Sequence, residues 1–287
     1  MVPVHAQPRR FVFLSSNPTP WGGSEELWAG AAIALLEQGH RVSALKGYVD
    51  HTPFRVRRLR ELGSPVRDLY RPGWVLSALT SLAARISHRS VPWIYFASVA
   101  RVLAASRPDL AIVSQAGSLD GVFMAGVCRR LKKPYVLLSQ KAGFLYWPTN
   151  EALPALRDIY ADARACYFVS EHNLRLTEEH LGMALPHARV VRNPFLVPWA
   201  RRHDWPSGDV FRLACVGRLW VVEKGQDLLL RVLARDKWRQ RPLSVTIVGS
   251  GPHRAPWRRW PPTTASIACR LPGSSTTSRE SGPTITA

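Results

Sequence analysis

The chain has 287 residues, 46% of them hydrophobic, and carries a formal net charge of +19. This length is sufficient for two domains, and the apolar content excludes a disordered or low-complexity protein. No apolar run reaches the roughly 18 residues of a membrane-spanning helix, and MVPVHAQPRR at the start lacks the apolar core of a signal peptide. We therefore expect a cytoplasmic protein.

The excess of positive charge favours an anionic partner, such as nucleic acid, anionic lipid or a phosphate-bearing ligand. The basic residues are spread along the chain rather than gathered in one stripe, which argues against a nucleic-acid groove. A solvated basic surface is an equally good explanation. A local excess of arginine lies at Arg55, Arg57, Arg58 and Arg60.

The four cysteines are far apart and form no CxxC pair, so neither a metal site nor a disulfide framework is predicted. Three of them lie in apolar runs, where we expect buried thiols. These three are Cys128, Cys166 and Cys215, and the fourth cysteine, Cys269, lies outside the apolar runs.

Strands and helices alternate from residue 10 onward. RFVFLSS (residues 10–16) is a short β-rich run, typical of a strand covered on both faces. The turn segment NPTPWGG follows, and Ser24 is expected to cap a helix that has Glu25 and Glu26 in its first turn. The helix ends at Gly39 and HRVSAL is the next strand. This order predicts a βαβ unit with parallel strands.

The same alternation continues through the first domain. Strands are predicted at residues 108–115, 134–140, 165–170 and 188–195, and helices at residues 119–131, 153–163 and 171–181. A further segment, WVLSALTSLAARI (residues 74–86), is predicted to be an amphipathic helix.

A second strand–helix–strand unit follows the segment LVPWARRHDWPSGD, which is rich in Pro, Trp and charge and reads as a linker. FRLACVGRL is predicted as a strand, residues 226–234 as a helix and LSVTIVGSGP as the next strand. The chain is therefore predicted to be an α/β protein with two doubly wound parallel-sheet domains. The predicted parts are a first domain (1–197), a linker (198–210), the start of a second domain (211–252) and an off-pattern, disordered tail (253–287).

Ligands of open parallel sheets bind beyond the carboxyl ends of the strands, so the loops there are candidate sites. Gly22 and Gly23 let a ligand approach the backbone at the start of a helix, where free N–H groups suit phosphate. A turn needed only for packing explains these glycines equally well. The loop contains no GxGxxG, which argues against a nicotinamide or flavin enzyme.

The stretch VGRLWVVEKGQDLLLRVL (residues 216–233) is more specific. A strand ends there, Arg218 follows, and Lys224 lies six residues later at the start of a helix. Two cations beside a helix amino terminus form a clamp for a diphosphate, since Arg forks to two oxygens and Lys supplies a point charge. IVGSGP then opens a strand into a turn at Gly249 and Gly251, against which a base or phosphate can lie.

The order strand–GRL–EKG–helix, followed by VTIVGSGP, resembles the nucleotide-binding half of GT-B glycosyltransferases, specifically the retaining family 4. The resemblance implies two Rossmann-like domains and transfer of a hexose from a nucleoside diphosphate sugar, with no metal or other cofactor. It implies that Arg218 and Lys224 bind the donor diphosphate and that Gly22 and Gly23 meet the acceptor and the donor phosphate. VVRNPF is similar to the family's stretch before the interdomain crossover, which it matches at Asn193.

Two departures from the family pattern affect the expected site. Many relatives carry a catalytic-site His where this chain has Gln140, which can still hydrogen-bond a sugar. His172 and His180 are expected to be surface residues rather than catalysts. Relatives also carry two glutamates seven residues apart near the donor, whereas the tail has only Glu280. The catalytic residues are therefore unassigned.

The tail after His253 carries five Arg and one acid. Reading its codons one base earlier converts the Trp260–Pro261 junction into Ala. With G or C at the free positions, SSTTSR becomes VDDVE, which is similar to a turn of family 4. We interpret the tail as the product of a frameshift, which leaves the second domain incomplete and the chain with little or no activity. A natural disordered basic tail is the alternative.

The acceptor is not specified by any motif. The basic surface near Arg55 and the helix at residues 74–86 suit peripheral docking at an anionic bilayer, with a lipid-linked or cell-envelope glycan as product. An ordinary packing helix beside a solvated loop is an equal alternative. Two other functions are alternatives. One is a non-catalytic domain that binds a glycan or an anionic surface. The other is a nucleic-acid binder, which only the charge suggests and which we do not expect.

Overall fold

The computed structural model describes residues 7–69, 92–195, 197, 204, 207–253 and 265–266. The chain divides into two compact units, Met1–Val197 and Pro198–Ala287. None of the helices in the described part is both long and apolar enough to cross a membrane.

The first unit is built on a seven-stranded parallel sheet with the order β3-β2-β1-β4-β5-β6-β7. Its strands are β1 (Arg10–Ser15), β2 (Arg41–Lys46), β3 (Val66–Asp68), β4 (Leu110–Gln115), β5 (Tyr135–Ser139), β6 (Cys166–Phe168) and β7 (Ala188–Val190). Its helices are α1 (Gly23–Glu37), α2 (Phe54–Glu61), α3 (Pro92–Ser106), α4 (Val122–Arg130), α5 (Leu153–Asp162) and α6 (Glu171–Leu181).

The strand β1, next to the central strand β4, is apolar from Phe11 to Leu14 because helices cover both faces of the sheet. Successive side chains of a strand point to opposite faces. Val12 and Leu14 accordingly pack into a cluster with residues of α3, α4 and α5, while Phe13 packs with Trp28 of α1 and Leu59 of α2. This arrangement confirms the doubly wound α/β architecture predicted for the first domain.

The second unit contains a three-stranded parallel sheet in the described residues, with the order β10-β9-β8. Its elements are β8 (Phe211–Val216), α7 (Val221–Lys224), α8 (Gln226–Leu233), α9 (Asp236–Arg239), β9 (Leu243–Val248) and β10 (Ala265–Ser266). Leu230, Val245 and Ile247 form part of its small buried core. In this sheet β8 is an edge strand, and Phe211 and Val216 are 75% and 76% exposed.

Several predicted boundaries were wrong. The strand predicted at 188–195 ends at Val190, and the strand predicted at 211–219 ends at Val216. Ser24 does not cap α1, because the helix begins at Gly23 and the Ser24 hydroxyl instead accepts a hydrogen bond from the Asn17 amide. The sequence analysis also missed α2, β3 and α3.

Other predictions fall partly or wholly outside the described residues. The helix predicted at residues 74–86 and Cys269 lie outside them, as does most of the tail, from which Ala265 and Ser266 pair with β9. The other cysteines are free thiols: Cys128 and Cys166 are buried, as expected, whereas Cys215 is only partly buried. Burial raises the pKa of the Cys128 thiol to about 12.

Candidate functional site

The loop that carries Gly22 and Gly23 follows β1, at the point where the order of strands reverses between β1 and β4. Such a reversal opens a crevice at the carboxyl ends of the strands, which is where doubly wound sheets bind ligands. Gly22 is in extended backbone, which any residue can adopt. A Cβ added to Gly23 would meet no described residue within 4 Å. The packing of the described residues therefore does not require a glycine at position 23, and they leave space open above the start of α1.

A buried ion pair lies beneath this loop. Lys46, the last residue of β2, donates to the carbonyl of Thr19 at 2.9 Å, and its Nζ lies 4.0 Å from Glu25 Oε2. Glu25 also accepts hydrogen bonds from Ser15 and from the Trp28 indole. Burial raises the pKa of Glu25 and lowers that of Lys46, and the attraction between the two charges offsets part of both changes. The pair ties the loop to the sheet.

The sequence analysis missed this pair, because it assigned Glu25 only to the first turn of α1. The available signal was Lys46, a cation directly after the predicted strand HRVSAL. A lysine in a doubly covered strand needs a buried partner, since an unpaired charge there is costly.

Gln140 directly follows β5, at the same edge of the sheet. Its backbone is fixed: the N–H donates to the Gln115 carbonyl at 3.1 Å, and the carbonyl accepts from Asn173 at 3.3 Å. Its side-chain amide is buried, and within the described part of the chain neither Oε1 nor Nε2 has a hydrogen-bond partner. A buried unpaired amide costs free energy, so the Gln140 side chain would be stabilised by any polar group that comes within its reach.

The two histidines of α6 differ from each other. His172 is exposed, as expected, and its ring lies 5.4 Å from the ring of Phe144. His180 was expected at the surface but is only 3% exposed, because α6 turns it inward against the edge of the Trp147 ring. The expectation for His180 was wrong because helical periodicity alone did not show which face of α6 packs on its neighbours.

Asn193 lies in the exposed segment after the edge strand β7. Four inter-strand steps separate β1 from β7 in the sheet, or about 19 Å at the usual strand spacing. Gln140 is nearer to the glycine loop, since β5 is two strands from β1, or about 10 Å away. The sheet therefore brings Gln140 toward Gly22 and Gly23 but places Asn193 at its far end.

In the second unit, Arg218 follows the end of β8 by two residues. Lys224 was predicted at the start of a helix but is the last residue of the short helix α7. The aliphatic stem of Lys224 passes Gly217, with Cδ 3.8 Å from where a Cβ of that glycine would lie. The Arg218 guanidinium lies 5.9 Å from the centre of the Trp220 ring, and the Arg218 carbonyl accepts a hydrogen bond from the buried Gln226 amide at 2.8 Å. The backbone of Arg218 is thus held to Gln226, the first residue of α8, and Arg218 as a whole is partly buried.

Gly249 and Gly251 follow β9 and pack directly on the segment after β8. A Cβ on Gly249 would lie 1.8 Å from the Gly217 carbonyl oxygen, and one on Gly251 would lie 2.5 Å from the Leu219 oxygen. No side chain fits in either place. These glycines are therefore required by the contact between two backbone segments, whatever ligand the edge of the sheet binds.

The arginines of α2 form a less concentrated positive surface than the sequence suggested. Arg55 pairs with Glu26 at 2.6 Å, and Arg58 pairs with Glu37 at 3.1 Å. Two of the four arginines are thus partly neutralised by acids of α1. No group of three or more His, Cys, Asp or Glu side chains that could hold a metal ion occurs in the described part of the chain.

The fold was compared with solved structures. HepE (Alr3699) of Anabaena, in complex with UDP-glucose, is similar with a TM-score of 0.55 at 15% identity, over 84% of this chain and 61% of that chain. A glycosyltransferase of Rickettsia africae ESF-5 gives a TM-score of 0.55 at 13% identity, over 84% of this chain and 60% of that one. The fold is GT-B.

A third structure is similar to a comparable extent. The lipopolysaccharide outer core galactosyltransferase WaaB, in its apo form, has a TM-score of 0.50 at 14% identity, over 85% of this chain and 61% of that chain. The present chain therefore spans about three fifths of the length of these structures. No protein-family model matches the chain, and no curated protein matches its sequence. Membership of family 4 accordingly stays a prediction.

Proposed function

We propose that this chain binds a nucleoside diphosphate sugar. The reaction to which its site is suited is transfer of a hexose to a glycan acceptor, with retention of the anomeric configuration and without a metal. The proposal is supported by the GT-B fold and by a similar structure that contains UDP-glucose. The observation that carries it is that two cations follow β8 closely: Arg218 lies two residues after the strand, and the stem of Lys224 passes Gly217 just before α8 begins.

The roles of the residues follow from the charge that develops in such a transfer. When the bond between the anomeric carbon and the diphosphate breaks, negative charge accumulates on the departing oxygens. Arg218 would fork to two of these oxygens, and Lys224 would add a second positive charge. The unpaired amide of Gln140 would hydrogen-bond a sugar, and the open face of Gly23 would leave room for the acceptor.

We further propose that this chain alone turns over little substrate. Its second unit contains only two glutamates, Glu223 and Glu280, and therefore no pair seven residues apart. A second reason is that β8 is an edge strand among the described strands of the second sheet and exposes Phe211 and Val216, which leaves this sheet poorly covered. Nucleotide binding without efficient transfer is the expected behaviour, and a frameshift in the tail would explain it.

The acceptor side has an unusual exposed surface. After Gln140, four consecutive large apolar residues are 59–79% exposed: Phe144, Leu145, Tyr146 and Trp147. Runs of this kind on a surface usually serve binding. We propose that they contact an anionic bilayer that presents a lipid-linked acceptor, with the basic charge of the protein aiding attachment.

Leu145→Asp should weaken sedimentation with phosphatidylglycerol vesicles, and Leu131→Asp, elsewhere on the surface, should not. Equal sedimentation of both variants would contradict this contact.

Titration with UDP and with duplex DNA at two salt concentrations tests the proposal against the alternative functions. Saturable UDP binding at both salt concentrations supports nucleotide-sugar binding. Steeply salt-dependent DNA binding without UDP binding would indicate a nucleic-acid binder, because phosphate contacts release counterions. Glycan binding without UDP binding would favour the non-catalytic domain.

A further inference from the structure

A cavity of about 310 Å³ lies beside the Gly22–Gly23 loop and is lined by Trp21, Glu26, Phe54 and Arg55. It lies between the start of α1 and the start of α2, the two helices that follow β1 and β2. Helices that follow parallel strands begin at the carboxyl edge of the sheet, so the cavity opens at the ligand-binding edge. No motif in the sequence analysis pointed to these four residues as a group.

The walls of the cavity are fixed by their own hydrogen bonds. The Trp21 indole N–H donates to Glu26 Oε1 at 2.8 Å, and Arg55 Nε donates to Glu26 Oε2 at 2.6 Å. The ring of Trp21 also packs on the buried ring of Trp28, with 6.3 Å between centroids. Glu26 therefore joins the loop after β1 to α2, and the site is organised before any ligand arrives.

The chemistry of the lining points to a neutral polyol rather than an anion. Glu26 and Arg55 neutralise each other, so the cavity offers no net positive charge to a phosphate. A carboxylate can accept about four hydrogen bonds. Glu26 Oε1 already accepts one from Trp21, and Oε2 accepts one from Arg55. The remaining capacity suits the hydroxyl groups of a sugar.

The aromatic walls suit the apolar face of the same kind of ligand. Phe54 is 67% exposed, although it is the first residue of α2 and could have been polar without loss to the core. Phe54 and Trp21 supply flat apolar surfaces against which the C–H face of a sugar ring can lie. A volume of about 310 Å³ is at the lower limit for small-molecule sites, which suits one ring rather than a nucleotide or a lipid chain.

We propose that this cavity is a subsite for one pyranose ring of the acceptor glycan. The assignment of the ring to the acceptor rests on the proposed glycosyl transfer. Binding of a sugar to the cavity does not depend on it, because the lining residues all belong to the first unit.

Saturation-transfer difference NMR on the full chain tests the proposal, with methyl glycosides of glucose, galactose and mannose as probes at millimolar concentration. We expect at least one glycoside to bind, and Phe54→Ala to weaken it by about tenfold, the loss expected for one aromatic contact. Glu26→Gln should also weaken binding. Phe211→Ala removes a comparably exposed Phe of the second unit and should leave binding unchanged.

The proposal is overturned if no glycoside binds the wild-type chain, or if Phe54→Ala binds as the wild type does. Circular dichroism shows whether each variant is folded. UDP titration of the same samples keeps the two proposals separate, because a chain that binds glycosides at Phe54 but no UDP would retain the subsite and refute the nucleotide-sugar function.

Discussion

Lys46 Nζ lies 4.0 Å from Glu25 Oε2, and both side chains are almost completely removed from solvent. Lys46 also donates to the carbonyls of Thr19 and Gly47, at 2.9 and 2.6 Å. The pair therefore links the ends of β1 and β2 to the loop that precedes α1. This loop contains the Gly22–Gly23 candidate site and the Trp21 wall of the cavity.

Removing one member of this pair should destabilise the protein more than removing both. Lys46→Met leaves the Glu25 carboxylate buried without its cation, which should lower the free energy of unfolding by about 3–5 kcal/mol. The double variant Glu25→Gln/Lys46→Met should recover part of that loss. Urea denaturation of the single and double variants measures the coupling, with Lys132→Met as an exposed control. If Lys46→Met unfolds at the same urea concentration as the control, the pair does not stabilise the loop.

His180 should make the stability of the protein dependent on pH. Burial lowers its pKa from the ordinary value of 6.5, and the nearby Glu179 offsets part of this change. The unfolded chain therefore takes up a proton at a pH where the folded chain does not. The stability that comes from a neutral His180 is present above pH 6.5 and is lost as the pH falls through the lower, folded-state pKa.

Replacement of this histidine should remove that dependence. His180→Leu should show a smaller loss of thermal stability than the wild type between about pH 7.5 and pH 5.5. His172→Leu changes an exposed histidine of the same helix and should behave as the wild type. If the melting temperature falls by the same amount between the two pH values in all three proteins, His180 does not titrate differently in the folded state.

Gly249→Ala should disrupt the second unit alone. The new Cβ would lie 1.8 Å from the Gly217 oxygen, so the backbone must move, at a cost at the upper end of the usual 1–3 kcal/mol of overpacking or above it. Hydrogen exchange should show lost protection in β8 and β9 and none in the first unit. Gly126→Ala, within α4, is the matched control. Its new Cβ would lie 4.0 Å from the nearest atom, Ile159 Cδ1, so this change should be neutral or slightly stabilising. Unchanged protection in the Gly249 variant would refute the close packing.

The outer edge of β8 should promote self-association. Phe211 and Leu213 are 75% and 53% exposed on a strand that pairs only with β9 in the described residues. An open, apolar edge strand pairs readily with another chain. Phe211→Lys/Leu213→Lys should therefore reduce the increase of light-scattering mass with concentration. Ser207→Lys/Gln240→Lys adds the same charge at other exposed positions and should reduce it less. If both double variants reduce the association equally, the reduction is due to the added net charge and not to the edge of β8.

The fold could be predicted from the sequence where the pattern is set by burial on both faces of the sheet. Runs such as RFVFLSS and PYVLLSQ are apolar because helices cover both sides, and the structure contains a strand in each. The helix α2 was missed because FRVRRLRE buries only Val56 and Leu59. Three apolar residues among four arginines, only two of them on the buried face, give too weak a periodic signal for a helix.

The candidate site could be predicted only in part, because chain order does not show how loops pack. The sequence indicated that Arg218 and Gly249 follow adjacent strands, and the register places Val216 opposite Val248. It did not indicate that Glu26 joins Trp21 to Arg55, because α1 and α2 are far apart in the sequence and meet only after β1 and β2 pair. The same limit explains the missed pair of Glu25 and Lys46.

Calorimetric titration of UDP into the wild type and into Arg218→Ala, Lys224→Ala and the double variant tests the central claim most directly. Arg231→Ala and Lys237→Ala remove exposed cations of the same unit as controls. Each candidate cation should contribute about 1.5–3 kcal/mol through its hydrogen bonds to the diphosphate, so each single variant should bind at least tenfold more weakly than the controls. Affinity that is equal in Arg218→Ala, Lys224→Ala and the two control variants would contradict the diphosphate clamp.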